Sequence, residues 1–169
     1  SNDGTPNLLF QNDGHGRFTE VALKTGVGFN QFGAADGSMG AAVADATGDG
    51  LPDIFVTRFG NASFYVNSRG GLFDDRIQPS GLHALTSPYT GWGGNFLDVE
   101  NDGDLDLFIV NGNAHFLEGM PPLLLENRGD GTFVDGAAKG GPLFKAALNG
   151  RGSAAWDFDN DGRTDLLIT

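Results

Sequence analysis

Cysteine is absent from this 169-residue chain, and methionine, tryptophan and tyrosine each occur only twice. Without cysteine no disulfide framework can form, and cysteine usage indicates nothing about the redox compartment. Positive charge is also scarce, because 10 Lys and Arg stand against 22 Asp and Glu, for a net charge of −12. Such an acidic chain repels nucleic acid and anionic membranes, and it favours metal cations or basic partners.

Long apolar runs and helical periodicity are missing too. No run approaches the roughly 18 residues of a membrane-spanning helix, so we expect no membrane insertion. No secretory signal is visible, and the chain begins at Ser1 rather than Met, which predicts a processed or excised N-terminus. Glycine breaks residues 22–26 and 136–140, so each of these stretches is expected to form at most a turn.

An acidic motif of the form Asp-x-Asp-x-Asp-Gly-x-x-Asp occurs three times, beginning at Asp45, Asp98 and Asp157. A Gly-led apolar stretch precedes each copy, and an apolar run follows its last Asp. Internal repetition of this kind decides the architecture before any single element does. The motif therefore predicts an acidic loop between two strands in each of three repeats.

A second element alternates with the acidic motif. It runs from an Asn through a Gly-containing turn to a Phe, at residues 12–18, 67–73 and 127–133. Apolar runs flank each turn, which is typical of a β-hairpin.

Together the two elements give about four short strands per repeat, the content of one β-propeller blade. We therefore predict an all-β chain, a single propeller segment with three repeat units at 1–57, 58–110 and 111–169. The first hairpin lacks two preceding strands, and the last two strands lack a following hairpin. Three units do not close comfortably into a ring. The missing strands are expected from neighbouring blades of a larger chain or from a second copy.

The acidic loops predict about three metal sites built from oxygen ligands. Alternate residues of a tight loop can face one centre, and Gly at position six permits the sharp turn. In the first loop Thr47 stands where the others carry a carboxylate, so this site is expected to bind most weakly. The candidate ligands are Asp45, Thr47, Asp49, the carbonyl of Leu51 and Asp53; Asp98, Glu100, Asp102, the carbonyl of Asp104 and Asp106; and Asp157, Asp159, Asp161, the carbonyl of Arg163 and Asp165.

Calcium is the expected metal, because it takes six to eight oxygen ligands in irregular geometry. Magnesium demands stricter geometry, and zinc prefers His and Cys, which these loops lack. An EF-hand would need a bidentate Glu at position twelve and flanking helices. Position twelve is instead Val56, Ile109 and Ile168, so an EF-hand is not expected.

The repeat resembles the FG-GAP repeats of the VCBS kind found in integrin α-subunit propellers. The closer resemblance is to the propellers of cartilage-acidic-protein-like and bacterial ASPIC/UnbV-type secreted proteins. Residues 6–12, 91–93 with 98–108, and 124–133 carry it. The resemblance implies calcium held between the first two strands of a blade, an extracellular, periplasmic or cell-surface location, and complete propellers of six to eight blades.

A few residues outside the loops are candidates for ligand binding. Residues 77–90 and 111–122 form the two longest irregular stretches, and long loops on rigid scaffolds often carry binding. Trp156, beside Asp157, is expected in the blade core, and most of the 14 Phe are expected to fill the spaces between blades. The candidates are Arg58, His83, Tyr89, Trp92 and His115.

The sequence favours a calcium-stabilised module that binds a protein or a glycan, or that serves as a scaffold in adhesion. No nucleophile, phosphate-loop or HExxH motif is present, so we do not expect an enzyme. Two alternatives stay open. One is the propeller portion of a polysaccharide-lyase-like enzyme, and the other is a self-assembling structural subunit.

Overall fold

A computed structural model describes residues 4–116 and 118–169 of the chain. The described residues are dominated by short β-strands joined by turns and loops. The strands are β1 (Phe10–Asn12), β2 (Phe18–Glu20), β3 (Ser38–Ala44), β4 (Asp53–Arg58), β5 (Ser63–Ser68), β6 (Leu72–Asp75), β7 (Gly91–Leu97), β8 (Asp106–Asn111), β9 (Leu123–Asn127), β10 (Phe133–Asp135), β11 (Ser153–Trp156) and β12 (Asp165–Ile168).

The strands form two complete blades and two hairpins. The first blade has the order β3-β4-β5-β6 and the second has the order β7-β8-β9-β10, while β1 pairs with β2 and β11 pairs with β12. Every pairing is antiparallel. The predicted all-β fold, with four-stranded antiparallel blades and a two-stranded hairpin at each end, is confirmed.

Three short helical segments lie between the strands: α1 (Ala22–Thr25), α2 (Leu82–Thr86) and a 3-10 helix (Pro142–Lys145). Helix α1 is the single turn expected there, and it ends at Gly26. Gly26 has a left-handed φ of 92°, and its amide donates to the carbonyl of Ala22. Helix α2 lies in a stretch expected to be irregular. It was not foreseen because Leu82 anchors it through tertiary burial in the core, not through periodicity.

Glycine explains how the first strands of adjacent blades approach each other. A Cβ on Gly40 of β3 would lie 2.5 Å from the carbonyl oxygen of Trp92 in β7. A Cβ on Gly93 of β7 would lie 2.8 Å from the amide nitrogen of Ser153 in β11. Both distances are shorter than real Cβ contacts, so the Gly-led strands of the repeat are required by backbone-to-backbone packing.

The apolar core lies between blades. Phe55 and Phe64 of the first blade pack with Leu107, Ile109 and Leu125 of the second. A second cluster joins the second blade to the β11–β12 hairpin, and a third joins the first blade to the segment around α1. Burying these side chains supplies most of the stabilisation, at about 25 cal/mol per Å² of apolar surface.

The aromatic residues are less buried than expected. Only five of the 14 Phe are buried, whereas six are exposed. Trp156 was expected in the blade core but is 45 % exposed, with its ring against Phe158. Trp156 and Phe158 belong to the β11–β12 hairpin, which pairs with no further strand among residues 4–116 and 118–169.

The strand directions place the connections on two opposite faces. The turns β3–β4, β7–β8 and β11–β12 carry the acidic motifs and share one face, which we call the acidic face. The connections β2–β3, β4–β5, β6–β7, β8–β9 and β10–β11 share the other, which we call the opposite face. A ligand at one face therefore would not meet the residues of the other.

Candidate metal centres

The three acidic loops adopt the same backbone turn. Positions four and six of each loop are left-handed, a conformation that Gly adopts freely and Asn tolerates. The φ values at position four are 73° at Gly48, 57° at Asn101 and 59° at Asn160, and those at position six are 85° at Gly50, 95° at Gly103 and 84° at Gly162. Strands flank each loop on both sides, in agreement with the rejection of an EF-hand.

The first Asp of each loop is held by backbone amides of its own loop. Asp98 accepts hydrogen bonds from the amides of Asp102 and Gly103, at 3.0 and 2.9 Å. Asp157 accepts the equivalent pair from Asp161 and Gly162. Asp45 accepts three, from residues 48–50. These bonds fix the orientation of the first carboxylate without using a counter-cation.

The last Asp of each loop links the loop to the sheet. Asp53, Asp106 and Asp165 each accept the amide of the residue at position two, at 3.0, 3.2 and 2.9 Å. Asp53 and Asp106 also accept a third-strand amide, from Asn67 and Asn127, both at 2.9 Å. In the two complete blades this position therefore joins the acidic loop to the third strand, and any ion that it binds would be coupled to blade structure.

The third loop brings its carboxylates together most closely. One oxygen from each of Asp157, Asp159 and Asp165 lies within 4.8 Å of the other two. Asp161 turns aside to pair with the guanidinium of Arg163. Three converging carboxylate oxygens repel each other unless a cation lies between them, so this loop fits a divalent metal.

The second loop is contacted by a cation of the protein itself, the ammonium of Lys139. The ammonium of Lys139 lies 3.1 Å from Glu100 and 2.7 Å from Glu126. Burial raises the pKa of Asp106 to about 6, and the neighbouring Glu100 carboxyl also raises it. A divalent cation favours the ionised carboxylates, and would therefore lower the pKa of Asp106.

The first loop contains an unpaired polar atom. The hydroxyl oxygen of Thr47 is buried and has no hydrogen-bond partner in the described part of the chain. Beside it, burial raises the pKa of Asp53, although the amides of residues 46, 47 and 67 and the side chain of Thr47 oppose this shift. An ion at this loop would give the Thr47 oxygen a close partner.

The structure separates the five other candidates into different environments. The Arg58 side chain is only 2 % exposed and pairs with Asp36, so it cannot reach a ligand outside the fold, although it lines a small pocket. Tyr89 packs against the core, and Trp92 donates to the carbonyl of Gly112 beneath the guanidinium of Arg151. His83 is half-buried in the same pocket as Arg58, and His115 is exposed against Phe59.

Sequence reasoning missed two residues that organise the loops. Asn127 donates from its side chain to the carbonyls of Ala46 and Leu105, at 2.8 and 3.0 Å, and so joins the loops of both complete blades. Its place as the first residue of the repeated hairpin turn was the available signal. No signal in the sequence indicated Lys139, because it contacts the second loop from the β10–β11 connection.

Comparisons with known proteins agree with this architecture. The model of the FG-GAP-like repeat family matches residues 1–56, 45–109 and 98–168. The chain belongs to this family, whose model matches it three times.

Relatives are found among proteins called cartilage acidic protein 1. The Xenopus tropicalis protein is 29 % identical over 184 residues, covering 99 % of this chain and 25 % of that protein. The human protein is 39 % identical over 101 residues, covering 59 % and 14 %, and the mouse protein is 34 % identical over 123 residues, covering 72 % and 17 %. The chain thus spans at most a quarter of these relatives.

Among solved structures, an Agrocybe aegerita lectin described by its specific recognition of non-reducing terminal N-acetylglucosamine superposes with a TM-score of 0.48. It is 19 % identical and covers 98 % of this chain and 41 % of the lectin. At this level of similarity the superposition supports no functional comparison. Separately, none of the helices in residues 4–116 and 118–169 is long and apolar enough to cross a membrane.

Proposed function

We propose that the chain is a calcium-stabilised propeller module of an extracellular protein, used for binding or scaffolding. The observation that carries the proposal is the common structure of three acidic loops. Each has the same left-handed backbone positions, the same first Asp held by amides of its own loop, and the same last Asp that accepts the amide at position two. Only oxygen atoms are offered, which suits calcium among the common protein metals.

The residues that would hold the ion are those at positions one, three, five and nine of each loop, with the carbonyl at position seven. In the third loop Asp161 would have to exchange its contact with Arg163 for the ion. Calcium would supply charge neutralisation and a fixed centre for these oxygens. The protein supplies the orientation, through the amides that hold positions one and nine. In the complete blades position nine also accepts an amide from the third strand. An ion would therefore stabilise the blade as well as the turn.

An extracellular location is proposed on physical grounds. Loops of this size in extracellular modules bind calcium with dissociation constants of about 10⁻⁴ to 10⁻³ M. Such sites fill at millimolar calcium and would remain nearly empty at the far lower cytosolic concentration. The relation to cartilage acidic protein 1 supports the same location.

Binding is proposed rather than catalysis. In the described part of the chain, the side chains of His15, His83 and His115 form no hydrogen bond with a hydroxyl or carboxylate that could make a nucleophile–base pair. A protein or a glycan is the proposed partner.

The first test concerns the ranking of the loops. Asp49→Ala in the first loop is expected to reduce calcium affinity less than Asp102→Ala in the second, because Thr47 already leaves the first loop one carboxylate short. Calorimetry of both variants at one ionic strength would measure the difference. Equal losses, or a larger loss for Asp49→Ala, would contradict this ranking.

We propose in addition that neighbouring blades complete the two terminal hairpins, from the rest of a longer chain or from a second copy. The specific observation is the missing third-strand partner. Asp53 and Asp106 accept amides from Asn67 and Asn127, whereas Asp165 accepts only the position-two amide among the described residues. Asn12 is the equivalent residue of the β1–β2 hairpin. Phe10, Phe18 and Leu167 on these hairpins are also about half or more exposed.

Light scattering on the isolated chain tests blade completion by copies. Pairing of β12 with β1 of another copy would give a dimer or larger assembly, because each hairpin supplies the two strands that the other lacks. The matched variant Leu167→Lys, on an exposed strand position, is expected to shift the mass toward that of the monomer. A well-folded monomer at all concentrations would exclude self-completion.

A further inference from the structure

A small pocket opens on the opposite face, away from the acidic loops. It lies where the β2–β3, β4–β5 and β6–β7 connections meet, and its volume is about 80 Å³. The metal-centre proposal does not use this pocket. It is too small to enclose a large side chain, but it can accept the hydroxyl-bearing edge of a ring.

The floor of the pocket is a fixed charged network. The guanidinium of Arg58 pairs with Asp36 and donates to the hydroxyl of Tyr65 at 2.9 Å, and that hydroxyl donates to the carbonyl of Phe29 at 3.0 Å. The Arg58 side chain is 2 % exposed, and its Nε is buried without a partner in the described part of the chain.

The walls contribute further polar groups. Gln31 and Asn61 bring exposed amide side chains, and His83 brings a half-buried imidazole. In residues 4–116 and 118–169 these three side chains make no hydrogen bonds. Asp75, in contrast, is fully used: its carboxylate accepts from Gln31, Ser63, Phe64 and Ile77. The free groups thus include both donors and acceptors and carry little net charge.

Aromatic rings form the rim beside these polar groups. Phe59 is 56 % exposed and Phe32 is 78 % exposed. Phe59 is braced from outside by His115, with ring centroids 5.9 Å apart and an interplanar angle of 66°. An exposed ring held in one orientation next to free amides offers an apolar surface and hydrogen bonds at the same place.

We propose that this pocket binds a neutral pyranose of a glycan. A sugar ring has an apolar C–H face that stacks on an aromatic ring and vicinal hydroxyls that both donate and accept. Phe59 provides the stacking surface, and Asn61 and His83 pair with the hydroxyls. A protein partner would instead need a larger flat surface and would leave the unpaired polar groups of this small recess unused. This inference rests on the binding role proposed above and names its ligand class.

Ligand-observed saturation-transfer NMR tests the pocket with a panel of methyl glycosides of glucose, galactose, mannose, fucose and N-acetylglucosamine. At about 10 mM glycoside, and for a dissociation constant of about 1 mM, we expect a saturation-transfer signal from the protein to at least one of the glycosides. Phe59→Ala and Asn61→Ala are each expected to weaken its binding at least about tenfold, a free-energy change of about 1.4 kcal/mol. Leu72→Ala is the control, since Leu72 is 53 % exposed and does not line the pocket.

The outcomes separate this inference from the calcium proposal. Absence of saturation for every glycoside, or binding that both pocket variants leave unchanged, would overturn it. A peptide or protein that binds through Phe59 while no glycoside binds would also overturn it. Calorimetry with calcium on the same samples reports on the acidic loops alone. Calcium uptake without sugar binding therefore rejects only the pocket, and sugar binding without calcium uptake rejects only the metal centres.

Discussion

Chelation of calcium is expected to lower the free energy of unfolding by about 4 kcal/mol. A ligand that binds only the folded state adds RT ln(1 + [L]/Kd), which is about 1.4 kcal/mol per site at ~1 mM calcium and a Kd of ~0.1 mM. Three independent loops would contribute about three times that value. For a chain of this length the melting temperature should fall by roughly 8–16 °C. Thermal unfolding followed by circular dichroism, with calcium and with EDTA, measures the difference.

The physical reason lies in the carboxylates that the loops concentrate. The third loop alone brings oxygens of three Asp within 4.8 Å of each other, and mutual repulsion raises the free energy of the folded state when no cation is bound. Asp74→Asn is the matched control, because Asp74 is exposed and lies outside the loops. It should leave the calcium-dependent shift unchanged. A melting temperature indifferent to EDTA in the native sequence would contradict the proposal.

Much of the fold was predictable because residues that favour turns recur at fixed positions in each repeat. Gly at position six of each acidic loop and the Asn-to-Phe hairpin fixed the strand order before any tertiary contact was known. The Gly-led first strands were also recognisable, and the structure gives their cause, since Gly40 and Gly93 lie against the backbone of the next blade. Such local features can be recognised in the sequence because each depends on a particular backbone conformation or on the close approach of two backbones.

The rest depended on contacts between distant residues. Helix α2 forms because Leu82 is buried in the core between blades, and nothing in its own sequence indicates this. Arg58 was a candidate for ligand binding, but its contacts with Asp36 and Tyr65 bury it in a network that joins the β2–β3 connection to β4 and β5. The candidate metal loops were predictable as groups of residues, whereas the positions of Lys139 and Asn127 were not.

The hairpin asparagines provide a matched series for the second large effect. Asn12, Asn67 and Asn127 occupy the same position of the repeated turn. Asn127 is 7 % exposed, and its side chain makes four hydrogen bonds: it donates to the carbonyls of Ala46 and Leu105, and it accepts from the amides of Gly129 and Gly131. Among the described residues, in contrast, the Asn67 side chain donates only to the carbonyl of Pro52, and the Asn12 side chain accepts only from the amide of Gly14.

We therefore expect Asn127→Ala to destabilise the fold by about 3–5 kcal/mol, because truncation leaves several buried backbone groups unpaired at about 1–3 kcal/mol each. Asn67→Ala and Asn12→Ala should each cost about 1 kcal/mol or less, since water can replace their single bonds. Urea unfolding of the three variants, with calcium present and with EDTA, gives the three values. Because Asn127 joins the loops of both complete blades, its variant should also bind less calcium than the other two. Equal destabilisation across the series would show that the contact between adjacent loops adds nothing to the stability of the hairpin turn.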